Sequence, residues 1–558
     1  MASVAARRRV AVPRATVWVA LAGLLVVTAA VVLYLGRSTS FYYDDWNFVL
    51  FRRPWDADAL LQPHNEHLSL VPVLIYKAIF TTAGIESYVP FRVAGVAVHL
   101  LVLVALFVYA RRRVGDGPAL GAATLIAVLG PSWPDVLWPF QMGFLGSLAA
   151  GIAALLALDR GDRKGEIAAA ALLTVALASS SMGIPLFIAA ALEILGRPDR
   201  KRRWPILAAP AGLYGVWYLT YGAGDSTASV DNLLSTPAYI ADAAAAATGA
   251  MFGLGVEWGR PLAIALGALL VLAIRRGAAD PWRLAALIAL PFVFWGLTGL
   301  ARADLHEPGA PRYLYPGVLF LLLIAVEAAR GVRLTRGGLA ALAVLLVLVT
   351  VANLGALRNG AGYLRDQAAE LDGGLAALQL AAPVGLPPDF RPQPTVAPQI
   401  DATSYLAAVK DLGSPVPPPA QLPRLFGRGR AAADGTLVTA YGIRLAPAPG
   451  GAKGAPPVAE KAEAAETAPR GSCLRATPQA PASALELTVP PAGLLIAPAG
   501  GAAKVFVRRF SDTFPAGAVG DLVAGGTPMM LRIPSDASTA PWRARLALTG
   551  PVRVCALG

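Results

Sequence analysis

The sequence predicts a polytopic α-helical membrane protein, with about eleven transmembrane helices followed by a small C-terminal all-β domain outside the membrane. Three observations carry that prediction. Of 558 residues, 56% are hydrophobic and 15% charged, where a soluble globular chain has roughly 25% charged residues; the mean hydropathy is +0.56. The basic residues behind the formal charge of +13 sit in short clusters between apolar runs, as the positive-inside rule describes, which argues against nucleic acid as a partner. The last stretch of the chain exchanges apolar runs for short alternating ones separated by turn residues, and it holds the only two cysteines, Cys473 and Cys555.

The first long apolar run, 15–36, follows Arg7, Arg8, Arg9 and Arg14. A signal peptide would have an apolar core of about 7–15 residues and a small-residue cleavage site. This run is longer and continues into Tyr34, which predicts an uncleaved helix with its N-terminus in the cytoplasm. Further spans are predicted near 89–110, 118–131, 140–158, 165–181, 184–196, 204–222, 259–274, 282–300, 313–329 and 338–355. A span needs about 20 apolar residues, and the runs around 118, 165 and 184 are short of it. Arg111, Arg112 and Arg113 place their loop in the cytoplasm. So do Arg160, Arg163 and Lys164; Arg197, Arg200, Lys201, Arg202 and Arg203; Arg275, Arg276 and Arg283; and Arg330, Arg333 and Arg336. Alternate loops are poor in basic residues, so the C-terminal part is expected outside a bacterial plasma membrane. The stretch 236–257 is moderately apolar and reads as a re-entrant or interfacial helix. The abundance of Ala, Gly, Pro and Arg is that of a GC-rich bacterial source.

Beyond Asn353 the character changes. Residues 363–380 have helical spacing. "VGLPPDFRPQP" and "SPVPPPAQLP" suit extended linkers, and 446–471, rich in Ala, Pro and Glu, reads as disordered. From Ser472 onward "ALELTV", "KVFVRRF", "PMMLRI" and "RARLAL" read as strands, with Cys473 near the start tied to Cys555 near the end, a pairing that suits an oxidising compartment. The expected division is a membrane domain, 1–357, with a large first outer loop at 37–89; an outer helix and Pro/Ala-rich linker, 358–470; and a β-rich domain, 471–558.

Chemistry is expected in the outer loops. The loop 37–89 is far larger than a connector requires, which favours a functional role. It opens with "SFYYDDWNFVLFRRPW", where two adjacent carboxylates, Asp44 and Asp45, are framed by Tyr42, Tyr43 and Trp46. Like charges side by side repel, so a cation, a sugar hydroxyl or a shared proton should compensate them. The same loop carries "QPHNEHLSLVPVLIYK", with His64, Glu66, His67, Tyr76 and Lys77. The chain has four histidines: two in this motif, His306 in another outer loop, and His99 inside the second span, where a hydrogen-bonded packing role is expected. A second outer loop, "GPSWPDVLWPFQMG", offers Trp133 and Trp138 either as stacking faces for a sugar or as interfacial anchors, with Gln141 beside them. A third, "LARADLHEPGAPRYLYPG", brings Arg302, Arg312 and Tyr313 to the outer edge. Arg pairs bidentately with phosphate; lipid headgroup contact or a structural ion pair is the plain alternative.

"YYDDW", "HNEH", "WPFQMGF" and "PRYLYP", in this order and on this side, resemble the C-type superfamily of membrane glycosyltransferases, in an actinobacterial branch. The resemblance rests on an acidic pair directly after the first helix, a large first outer loop, a many-helix body and an outer C-terminal domain. It implies a polyprenyl-phosphate-linked sugar as donor, a cell-envelope glycan, lipid or protein as acceptor, and an inverting displacement with lipid phosphate as leaving group. On that resemblance Asp44 or Asp45 deprotonates or orients the acceptor, while the other binds donor hydroxyls or a cation. Lys77, Arg302 and Arg312 would meet the donor phosphate; Tyr43, Trp46, His64, Glu66, His67, Trp138, Gln141 and Tyr313 would line the substrates. A divalent cation would take Asp45, His64, Glu66 and His67, although His-x-x-His with no further ligand motif is a poor zinc signature, and the same residues would serve equally as hydrogen-bonding supports. Structural roles stand beside these: Asp44 as a helix cap, Asp45 as a partner of Arg52 or Arg53. Two other functions stay open. A transporter or flippase of envelope lipids would place ionisable groups near the bilayer midplane and use paired repeats. Here such groups gather at the outer edge, no repeat is visible, and Glu193 and Glu327 lie near cytoplasmic ends within reach of water. A non-catalytic scaffold for envelope assembly would use the β domain as a binder, where Trp542 offers little stacking surface.

Overall fold

The computed structural model describes residues 14–224, 229–277, 280–332, 334–449 and 454–557; Arg7, Arg8, Arg9 and Arg333 lie outside the described residues. Two compact units are formed. One runs up to Thr39 and takes in Phe51–Ala83 and Tyr88–Tyr363; the other comprises Ser40–Leu50, Gly84–Ser87 and Leu364–Gly558.

The first unit is helical because its sequence is apolar and the backbone of a membrane segment has to satisfy its own hydrogen bonds. Each of the predicted runs is a helix. Among the described residues seven are long and apolar enough to cross a membrane: Ala15–Leu35, Val89–Val114, Pro139–Leu158, Val256–Arg275, Pro281–Leu305, Pro311–Ala328 and Arg336–Val384. The pair Asp116–Ala127 and Gly130–Leu137, bent by 47°, makes an eighth if counted as one span. The sequence expects about eleven; by length and apolarity alone the described residues give seven or eight. Arg163–Ser179, Gly183–Leu195 and Pro205–Trp217 have 17, 13 and 13 residues, and 13 residues rise only about 20 Å against a hydrocarbon core of about 30 Å. Three consecutive serines, Ser179 to Ser181, separate the first two of these helices, and Ser147 Oγ, on the helix Met142–Leu158, donates to the Ala176 carbonyl of the first of them (2.7 Å). The stretch 236–257 falls mostly in a regular helix, Val230–Met251, which does not meet the length-and-apolarity measure.

At the bend after Ala127, Gly130 is required by close approach. A Cβ there would lie 1.9 Å from the Asn353 carbonyl oxygen, and its N–H donates to Asn353 Oδ1 (2.9 Å). His99 packs as expected, bonded to Tyr315 Oη (2.9 Å) and the Ala127 carbonyl (3.2 Å). Glu193 and Glu327, expected to reach water, are buried instead. Burial of a carboxylate is tolerated only with a charge partner, and each has arginines: Arg197 and Arg283 for Glu193, Arg113 and Arg330 for Glu327.

The second unit contains the end of the long helix Arg336–Ala381, the helices Ala402–Leu412 and Gly427–Ala440, and the β domain. The region predicted as linker is folded into it in part: Val416 and Leu422 of "SPVPPPAQLP" are buried, as are Val396, Ala397 and Ile400 just beyond "VGLPPDFRPQP", because apolar residues spaced among and after the prolines find a core. Twelve strands follow among the described residues: β1 (Leu445–Pro447), β2 (Gly454–Ala455), β3 (Ala459–Glu463), β4 (Ala465–Arg470), β5 (Cys473–Pro478), β6 (Ala484–Thr488), β7 (Leu494–Pro498), β8 (Ala503–Arg508), β9 (Gly520–Leu522), β10 (Met529–Leu531), β11 (Arg543–Leu548) and β12 (Val552–Leu557). They form two antiparallel sheets, β1-β10-β7-β12-β5-β4 with β2 paired to β12, and β3-β6-β11-β8-β9. The predicted disorder at 446–471 is therefore corrected to strands β2 to β4, while 450–453 lies outside the described residues. Alternation does the folding: Ala544, Leu546 and Leu548 of β11 point inward, and Arg545 on the other face meets Glu486 directly opposite (3.1 Å) and Glu463 (2.8 Å).

Two covalent and ionic ties hold the unit. Cys473 and Cys555 are disulfide-bonded across 82 residues, a loop whose closure contributes about 4 kcal/mol in the chain-entropy account. Asp434, on the helix Gly427–Ala440, accepts from the N–H groups of Arg509, Phe510 and Ser511 (3.0, 2.9 and 3.0 Å) and from Ser511 Oγ (2.5 Å).

Candidate functional site

Within the first unit the "HNEH" motif is a tight turn. His64 and His67 exchange backbone hydrogen bonds (3.0 and 2.9 Å), with Asn65 at φ 48° and Glu66 at φ 69°. Positive φ at both central residues is the type I′ geometry, which favours Asn followed by Gly. Glu66 holds the glycine place, and an L-residue in the left-handed region costs roughly 1–2 kcal/mol. Among the described residues five non-glycines have positive φ, and four of them, Tyr43, Asn65, Glu66 and His306, fall in two of the three predicted motif loops, the first and the third. Strain of this kind concentrates where function over-determines the backbone.

The turn lies on the second motif. His64 meets Phe140 edge-on (5.1 Å between ring centres), and His67 meets Phe144 (5.9 Å). Trp138 stacks on Phe140 at 5.3 Å and is buried, as is Gln141. Trp138 therefore forms the wall behind His64, not an open platform for a sugar. Trp133 packs on Tyr363 (5.3 Å). His67 Nδ1 is bonded to Ser181 Oγ (2.8 Å). Burial, then the charges of His64, Arg302 and Arg312, press the His67 imidazole down to about 3, so it is neutral at physiological pH. Those same influences place the third motif in the neighbourhood. Arg302 Nη1 donates to Tyr313 Oη (3.1 Å), and the Arg312 guanidinium lies over the Tyr313 ring (5.1 Å).

Lys77 does not fit the phosphate role predicted for it. It is 1% exposed; its ammonium donates to the carbonyls of Arg53 (3.1 Å) and Pro54 and faces the Trp55 ring at 4.4 Å. Burial lowers its pKa. Arg52, a predicted partner of Asp45, directs its guanidinium to the carbonyls of Asp58, Ala59, Gln62 and Pro63. Both cations thus brace the turns of the loop 37–89.

The acidic pair belongs to the second unit. Tyr43, at φ 40°, turns the chain into the short helix Asp45–Phe51. Asp45 Oδ2 accepts from the Tyr42 N–H (2.9 Å), and Asp44 Oδ1 from Asn47 Nδ2 (3.4 Å). Both carboxylates are buried, Asp44 at 8% and Asp45 at 0% exposed. Asp45 therefore secures the turn, while Asp44 keeps the larger accessible surface. Tyr43 is 43% exposed, and its carbonyl accepts from Gln399 Nε2. Trp46, predicted to wall a sugar, is 1% exposed and packs between Phe41 and Tyr405 (5.7 Å each); it anchors the turn to the core of its unit. Tyr405 Oη in turn accepts from Gln379 Nε2 (2.8 Å).

Among the described residues no three His, Cys, Asp or Glu side chains gather as a metal site. His64, Glu66 and His67, taken with Asp45 as cation ligands in the sequence, form no such group. Phe140 and Phe144 lie within "WPFQMGF" but received no role there, and Ser181 escaped the sequence analysis, although the triple serine interrupting an apolar run was the available signal. Tyr405 and Gln399 carried none, since they sit in stretches that look like linkers.

No protein-family model matches the chain, and no curated protein matches it. Among solved structures it is similar to the crystal structure of ArnT from Cupriavidus metallidurans bound to undecaprenyl phosphate, with 14% identity, a TM-score of 0.45, and coverage of 72% of this chain and 86% of that one. It is similar also to ArnT from Cupriavidus metallidurans in the apo state, with 15% identity, a TM-score of 0.45, and coverage of 75% and 92%.

Proposed function

We propose that the chain is a membrane glycosyltransferase that moves a sugar from a polyprenyl-phosphate donor to a cell-envelope acceptor on the outer face of a bacterial plasma membrane, with inversion at the anomeric carbon. The observation that carries this reading is the meeting of Arg302 and Arg312 at Tyr313, with their charges felt at His67 of the strained "HNEH" turn. Paired guanidinium groups beside aromatic walls, on helices able to cross a membrane, suit a lipid phosphate. In the proposed reaction a carboxylate of the Asp44–Asp45 pair, with Asp44 the better placed for solvent access, takes the proton of the acceptor hydroxyl. The acceptor oxygen bonds to the anomeric carbon as the bond from that carbon to the phosphate oxygen breaks. The electron pair stays on the polyprenyl phosphate, where Arg302 and Arg312 meet the growing charge. Neutral His67 and Glu66 orient donor hydroxyls. A cytoplasmic N-terminus and an extracytoplasmic β domain belong to this proposal; the basic clusters and the disulfide support that orientation.

The test is turnover of the purified full chain with synthetic polyprenyl-phosphate sugars. Removing a general base costs about 10²–10⁴-fold. Asp44→Asn or Asp45→Asn should lose at least about 10²-fold in turnover while thermal melts stay near wild type, and Arg312→Ala should mainly weaken donor use. Near-wild-type turnover in both Asn variants would sink the proposal. Lipid movement without release of polyprenyl phosphate would favour a transporter instead.

A further inference from the structure

Away from the three motifs, one end of the first unit gathers five arginines around a cavity of about 310 Å³. Arg112, Arg113, Arg197, Arg283 and Arg330 line it with Asp159. They arrive from separate elements: Arg112 and Arg113 from the last turn of Val89–Val114, Asp159 from the end of Met142–Leu158, Arg197 from just beyond Gly183–Leu195, Arg283 from the first turn of Pro281–Arg302, and Arg330 from just beyond Pro311–Ala328. Residues far apart in the sequence, from Arg112 to Arg330, thus converge on one hollow.

In the inner layer two arginines meet three carboxylates. Arg113 Nε lies 2.7 Å from Glu327, and Arg283 Nη2 lies 2.6 Å from Asp159 and 2.7 Å from Glu193. The outer arginines share the same three carboxylates: Arg330 with Glu327 (3.2 Å), Arg197 with Glu193 (2.8 Å), Arg112 with Asp159 (3.6 Å). Five guanidinium groups against three carboxylates leave positive charge in excess, and it lies at the rim, where the Arg112 and Arg330 side chains are 48% and 44% exposed. Capping of helix C-termini is the simpler account of these arginines, and Arg113 does donate to the Tyr109 carbonyl (3.1 Å). Capping leaves two things over. Arg283 Nε and the Tyr109 hydroxyl are buried with no hydrogen-bond partner among the described residues, and the Tyr109 ring lies directly against the Arg113 guanidinium at 3.5 Å. Capping also needs no hollow, whereas this one is at the lower end of the roughly 300–1,000 Å³ typical of ligand sites.

We infer that this cavity is a binding site for a phosphate group, and that the phosphate is the headgroup of an anionic membrane lipid. Guanidinium forks match phosphate oxygens bidentately. The cavity lies at the ends of helices long enough to cross a bilayer, where headgroup phosphates are found, and its excess charge is on the two arginines that face outward. The inference is independent of glycosyl transfer.

The test uses the full chain in neutral detergent micelles, at constant ionic strength, titrated with phosphatidylglycerol, with phosphatidylcholine, or with inorganic phosphate, and read by thermal melting and by native mass spectrometry of retained lipid. The variant is Arg112→Gln with Arg330→Gln; Arg113 and Arg283 remain, so no buried carboxylate is left alone. Phosphatidylglycerol should raise the melting temperature of the wild type and stay bound in the mass spectrum. Its apparent affinity should be about tenfold or more weaker in the double variant, from the loss of charge-assisted hydrogen bonds. A response to inorganic phosphate as large as that to the lipid, and lost in the double variant, would keep the phosphate site and assign it to a soluble ligand. Equal responses to phosphatidylglycerol in wild type and variant, or no response in the wild type, would overturn the site. If the double variant does not fold, Arg330→Gln alone carries the same comparison.

Discussion

Glu66 occupies a backbone conformation suited to glycine, and the residue that would relax it is plain. Glu66→Gly should stabilise the chain by about 1 kcal/mol, since glycine enters the left-handed region without a Cβ penalty. It should at the same time lower turnover if the carboxylate orients the donor. A melting temperature below wild type would show that the Glu66 side chain, not the turn, is what holds this loop. His67 gives a second prediction. Its folded pKa of about 3 lies below the ordinary 6.5, so between these values the unfolded chain binds more protons than the folded one, and stability falls as pH is lowered through that window. His67→Gln should flatten the dependence of melting temperature on pH between about 3 and 6.5, and unchanged slopes would remove His67 as its origin. Residue types in the motifs were legible from sequence: the acids, the histidines and Arg302 with Arg312. Their surroundings were not. Trp46 and Lys77 carry groups that suit a sugar and a phosphate, but burial among Phe41 and Tyr405, or under two backbone carbonyls, reverses what each can contact. Only the fold of distant segments decides that.

At the scale of elements, apolar runs declared themselves and edge strands did not. β3 and β4 are the last strands of their sheets, and β3 is exposed along most of its length. An edge strand that buries little needs few apolar or β-branched residues; backbone pairing to β6 and β5 and ion pairs such as Arg543–Glu460 (2.6 Å) hold it. A composition of Ala, Pro and Glu therefore looks disordered when read alone. The Asp434 clamp was equally silent, because one Asp in a polar helix predicts nothing about a backbone turn some 75 residues away. Asp434→Asn keeps the shape but removes the charge and part of the accepting capacity. It should cost about 2–4 kcal/mol, seen as a lower melting temperature; a wild-type melt would show the clamp to be dispensable.

For the whole molecule, length sets a constraint that composition alone does not. The helix Arg336–Ala381 has 46 residues, about 69 Å at 1.5 Å per residue, more than twice the hydrocarbon thickness of about 30 Å. Its apolar part is near the start, so at the tilts usual for membrane helices the remainder stands outside the hydrocarbon. The proposed orientation predicts that Tyr43→Cys and Arg312→Cys react with an impermeant thiol reagent in intact cells, and that Arg330→Cys reacts only after lysis. The native cysteines are bonded to each other and add no background. Protection of Tyr43→Cys and Arg312→Cys until lysis would invert the topology and remove the outer-face reaction with it.

The place of β12 in its sheet has a bearing on how the protein is made. Val552–Leu557 lies between β7 and β5 and also pairs with β2, yet it leaves the ribosome after every strand it joins. Until then the ladder edges of β5 and β7 stand open and Cys473 is an unpaired thiol in the compartment that receives it. Pairing that waits for a distant strand is slow, because chain entropy is lost before the contacts repay it, and open edges in the interval invite association with other chains. The sheet and the disulfide of the second unit can thus close only after synthesis has passed residue 555.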